Sequence, residues 1–222
     1  MSDAALPEEA LGKGSIVAEQ FDDREQQSLS AELGMWIFLG TEILFFSGLF
    51  LGFTIYRHLY PGAFLTAARE TLVSIGTTNT AVLLTSSVTV ALAVKAAEQK
   101  RLRVLTWMIG LTILLGLAFM ALKGYEYRED WHEHLIPGAH DFPLSPQQTQ
   151  IFWSFYWIMT GIHAVHVTIG LGIWSALLVL FRIGRIDPTR SSAVSVAGLY
   201  WHFVDIVWIF LWPLLYLGGR SG

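Results

Sequence analysis

The sequence predicts an all-α protein, a polytopic integral membrane bundle of five transmembrane helices. Two observations predict it. Hydrophobic residues fill 53% of the 222 positions and charged residues 14%, with a mean hydropathy of +0.49, a balance foreign to soluble domains. The apolar residues also gather into five stretches, each long enough for the roughly 20 residues that a spanning helix needs. The net charge of −4 comes with no basic run suited to nucleic acid. The absence of cysteine excludes disulfides, iron–sulfur clusters and thiolate metal sites.

Residues 1–32 come first, with Pro7-Glu8-Glu9 and Asp22-Asp23-Arg24-Glu25. They lack a basic start, a short apolar core and a small-residue cleavage site, so no signal peptide is expected. They read as a cytoplasmic arm, irregular when alone. Residues 33–222 form the transmembrane domain. Its expected spans are Leu33–Tyr56, Leu72–Val94, Val104–Tyr125, Phe152–Phe181 and Val196–Leu217. The fourth exceeds the hydrocarbon thickness, so it should tilt or project. The long connection, Glu126–Ile151, contains Pro137, Gly138, Pro143 and Pro146, which predicts irregular structure.

Basic residues set the expected orientation. The arm and loops 95–103 and 182–195 share one side and carry Lys13, Arg24, Lys95, Lys100, Arg101, Arg103, Arg182, Arg185 and Arg190. The other side carries Arg57, Arg69, Lys123, Arg128 and Arg220. The excess places the N-terminus in the cytoplasm and the C-terminus outside.

Within the spans, Glu42 is the most informative residue. It lies nine residues into the first span, about 13.5 Å along the axis. A charge at mid-bilayer costs roughly 2.5–3.5 kcal/mol on insertion scales, so the carboxyl must be paired, neutralised or used. No base lies within two turns of it on its own helix. His202 and Asp205 in the fifth span are three apart and able to pair with each other. His163 and His166 repeat that spacing in the fourth. Thr77, Thr78, Asn79 and Thr80 in the second carry groups able to bond across helices. Together these residues predict one intramembrane polar layer: Glu42, Asn79, His163, His166, His202 and Asp205. For Glu42 a structural hydrogen bond and a role in proton handling both remain open. For the histidines and Asp205, packing and hydrogen bonding outweigh metal binding, because histidines at i, i+3 on one helix cannot clasp both faces of a haem. A metal site would need Glu42 or Asp205 to converge with the histidines.

Trp201, Trp208 and Trp212 form a stripe on the fifth span, expected to pack helices or meet lipid or another subunit. Trp131, Trp153 and Trp157 fall where indoles anchor helices at an interface. Gly48 and Gly52 form a small-xxx-small pair that permits close helix approach.

Several segments, in order from residue 33 to 217, resemble subunit III of the haem–copper respiratory oxidases. They are Thr41-Glu42-Ile43-Leu44-Phe45-Phe46-Ser47-Gly48, Asn79-Thr80-Ala81-Val82-Leu83-Leu84 and Gly124-Tyr125-Glu126-Tyr127. Two more are Thr160-Gly161-Ile162-His163-Ala164-Val165-His166-Val167 and Tyr200-Trp201-His202-Phe203-Val204-Asp205. The resemblance implies a non-catalytic subunit in a bacterial inner membrane. Its main contact would be subunit I, with subunit II and small subunits in the same complex. Haem and copper would belong to partner subunits and none to this chain, which would hold phospholipid and support proton uptake and durability in turnover. Glu42 would match the family's carbodiimide-reactive carboxylate. The first and last motifs favour the cytochrome c oxidase type over quinol oxidases and nitric-oxide-reductase-associated homologues. An autonomous proton channel or transporter is the competing class. No inverted repeat or pair of broken apolar helices supports it.

Overall fold

The computed structural model describes residues 24–139, 141–187 and 192–218. Six α-helices follow one another: α1 (Arg24–Leu59), α2 (Pro61–Arg69), α3 (Val73–Glu98), α4 (Leu102–His132), α5 (Thr149–Arg182) and α6 (Ala193–Trp212). A wide π-type turn, Pro213–Leu217, extends α6. Five of these elements are long and apolar enough to cross a membrane; α2 is a nine-residue helix between the first two spans.

The five spans coincide with the expected ones, but their extents differ. Helix α1 begins at Arg24, so the last nine residues of the expected irregular arm are helical. Residues 1–23 lie outside the described ones. Helix α4 continues past Tyr125 to His132, which shortens the irregular connection to 133–148. That extra length carries Glu126 and Asp130 into the helix, both buried.

Helix α6 is the hub. It packs against α3, α5 and α1, and 61% of its apolar stretch is buried, against 17% for α1 at the rim. Helices α3 and α4, joined by three residues, form the most extensive pair. They are cross-linked where the Thr89 and Thr112 hydroxyls lie 2.7 Å apart with both residues buried. In lipid such bonds and close packing hold helices together, because apolar surface gains nothing from helix association there.

Trp201 shows what sets the hub's spacing. Its ring lies fully buried in a slot between α4 and α5. A Cβ on Gly116 would come within 2.9 Å of it, and one on Gly170 within 2.8 Å. Its Nε1 donates to Ser86 Oγ on α3 at 3.0 Å. Trp208, also buried, donates to Thr80 Oγ1 at 3.1 Å. These two indoles are therefore internal struts and offer no surface to lipid or to another subunit; Trp212 is half-buried. Of the tryptophans expected to anchor helices at an interface, Trp153 is instead fully buried, whereas Trp131 is exposed. Of the Gly48 and Gly52 pair in α1, only Gly52 meets a neighbour, the Phe155 ring; Gly48 faces open space.

Candidate functional site

Glu42 finds its partner on another helix. α1 and α5 pack side by side, and Glu42 Oε2 lies 3.2 Å from His166 Nε2. The other ring nitrogen, Nδ1, is 2.9 Å from the Ile162 carbonyl. A carbonyl only accepts, so Nδ1 carries a proton and donates. The Nε2–Oε2 contact then needs one proton of its own. Either a neutral Glu42 donates to a neutral imidazole, or an imidazolium donates to a carboxylate. Both placements leave the pair with no net charge, which is what a low-dielectric site requires. Phe46 and Phe203 close edge-on over the imidazole, with centroids 5.5 and 6.4 Å away. Tyr200 donates to the His166 carbonyl at 3.0 Å. The side chains of His166 and Glu42 keep 14% and 20% exposure, so the pair remains reachable from the rim beside α1.

The other members of the expected layer are not joined to this pair. His202 Nδ1 bonds Ser87 Oγ at 2.9 Å, which corrects the expected His202–Asp205 pairing. Asp205 is buried with Ser87 beside its carboxyl. Asn79 and His163 are buried with no hydrogen bond to their side-chain polar atoms. His163 lies instead against the Trp208 ring, 5.0 Å between centroids, and edge-on to Phe119. Thr77 and Thr78 bond back to the carbonyls of Val73 and Ser74 on their own helix. Among the described residues no three His, Asp or Glu side chains converge as a metal site would need.

A second polar cluster escaped sequence reasoning. Lys123, Glu126 and Asp130 of α4 are all buried, with Tyr156 of α5 and Tyr216 of the π-type turn. Lys123 Nζ donates to Glu126 Oε2 at 3.0 Å, Tyr156 Oη at 3.0 Å and Tyr216 Oη at 2.8 Å. Its signal was present: positions 123, 126 and 130 share one helical face. It was hidden because the charges appeared to end the span.

With this geometry in view, known proteins supply the context. The sequence profile described as cytochrome c oxidase subunit III matches residues 20–220. The chain belongs to the cytochrome c oxidase subunit III family. Among similar proteins, the quinol oxidase subunit 3 of Bacillus subtilis is 37% identical over 193 residues, covering 86% of this chain and 88% of the relative. The cytochrome c oxidase subunit 3 of Alkalihalophilus pseudofirmus is 34% identical over 193 residues, covering 86% and 87%. That of Bacillus sp. strain PS3 is 31% identical over 214 residues, covering 93% and 97%. This subunit III is thus a membrane component of a haem–copper oxidase and a partner of other oxidase subunits. Its relatives include both oxidase types.

Proposed function

We propose that this chain is the non-catalytic subunit III of a cytochrome c-type terminal oxidase. In this role it binds the proton-pumping, oxygen-reducing subunit I, with subunit II and small subunits in the same complex. The observation that carries the proposal is the Glu42–His166 contact. It is a neutral pair with one shared proton, open at a rim. Because Glu42 and His166 share one proton, it can pass between them without changing the net charge of the pair, and neither group performs electron transfer. Haem and copper reside in the partner subunits, and phospholipid covers the apolar rim. The N-terminus lies in the cytoplasm and the C-terminus outside a bacterial inner membrane.

The motifs around Glu42 and Asp205 support the cytochrome c type. The 37% identity to a quinol oxidase subunit favours a second reading, with quinol as donor. One purification separates them. The complex should retain haem and copper in its catalytic subunit and consume oxygen with reduced cytochrome c. Oxygen consumption with quinol alone would establish the second reading. A chain that purifies alone and carries protons across liposomes would overturn both.

A further inference from the structure

The buried cluster beside the C-terminal end of α4 contains more hydrogen bonds than its ordinary protons can supply. Lys123 Nζ contacts three acceptors, Glu126 Oε2, Tyr156 Oη and Tyr216 Oη, and uses all three ammonium protons on them. The Tyr216 hydroxyl donates to Glu126 Oε1 at 2.7 Å. The Tyr156 hydroxyl then has one proton but two close oxygens, Glu126 Oε1 at 3.0 Å and Asp130 Oδ2 at 2.7 Å. Six contacts therefore share five protons. Two carboxylates facing one ammonium would also leave a net negative charge, and Lys123, Glu126 and Asp130 are each no more than 2% exposed.

We propose that Asp130 is held as a neutral carboxylic acid, making this cluster a site that binds one additional proton. The sixth proton sits on Asp130 Oδ2 and is donated to Tyr156 Oη, which frees the Tyr156 proton for Glu126 Oε1. Every contact is then made, and one ammonium faces one carboxylate. The negative charge stays on Glu126 because Lys123 touches it directly. Asp130 reaches the ammonium only through Tyr156, so it is the carboxyl that binds the proton. Among the described residues, Lys123 is the cation that acts on Asp130. Tyr127 turns its hydroxyl to Thr160, Trp153 packs edge-on to Tyr156, and the neighbouring Glu133 contributes only further negative charge. This site is separate from Glu42–His166, with which it shares only helix α5.

Infrared spectroscopy of the assembled oxidase tests it. Wild type minus Asp130→Asn should show the loss of one carbonyl-stretch band of a protonated acid, a band that shifts in heavy water. Glu126→Gln removes the carboxylate that balances Lys123, so Asp130 should ionise in that variant, whereas Glu126→Asp, which keeps the charge, should leave the protonated-acid band in place. The amide of Asp130→Asn can donate to Tyr156 as the acid does, so this variant should assemble in wild-type amount. Asp130→Glu, which keeps an acid, should shift the band without abolishing it. Loss of a carboxylate band in Asp130→Asn, or failure of that neutral isostere to assemble, would overturn the proposal. So would a protonated-acid band that shifts in Glu126→Asp and stays in place in Asp130→Glu.

Discussion

Glu42→Gln replaces the proton shared with His166 by an amide proton that can still reach Nε2 at the same 3.2 Å contact. Assembly should survive with a change below about 1 kcal/mol, since the bond is remade. Oxygen reduction should largely persist. Labelling by a hydrophobic carbodiimide should fall away, because Glu42 is the reachable intramembrane acid in the wild type; labelling confined to surface acids such as Glu25 would contradict this. Lys123→Met has a different expected outcome. It leaves Glu126 without its cation in a site that is no more than 2% exposed, and breaking a buried pair from one side costs ~3–5 kcal/mol. The midpoint of thermal inactivation should drop and the yield of complex with it; an unchanged midpoint would mean that Lys123 is not the ion that holds the cluster.

The spans were legible in the sequence because lipid demands long uninterrupted apolar runs, and each of the five helices contains one. Their ends were less legible. Hydropathy treats Glu126 and Asp130 as the end of a span, whereas α4 continues because those groups turn inward onto Lys123, Tyr156 and Tyr216. Side-chain partners were legible only where spacing on one helix decides them. The link from Glu42 to His166 crosses between α1 and α5, and its register follows from packing that no local pattern encodes. His202 likewise prefers Ser87 on α3 to Asp205 on its own helix. Ser87→Ala should therefore weaken the α3–α6 contact by only about 0.6 kcal/mol, the average for an intramembrane bond. Gly170→Ala should do more. Its Cβ would meet Trp201 at 2.8 Å, and overpacking of this kind costs ~1–3 kcal/mol. Comparing detergent stability of the two variants checks the order; a milder effect for Gly170→Ala would remove the Trp201 slot as a determinant of spacing.

At the scale of the molecule, apolar side chains line the outside as well as the core. Leu44 on α1 is 75% exposed and Trp107 on α4 is 77% exposed, surface that lipid or other subunits must cover. Photo-cross-linkers at these two positions should divide, one capturing an oxidase subunit and the other lipid; capture of lipid alone at both would argue against docking through either face. In the proposed function this subunit supports catalysis without performing it. The most direct test is removal of the chain from an otherwise intact oxidase, followed by the haem spectrum and oxygen consumption through prolonged turnover. The account predicts an unchanged spectrum and substantial initial oxygen reduction, then a faster decline than in the complete enzyme. Loss of a haem signal, or no oxygen reduction from the first turnovers, would contradict it.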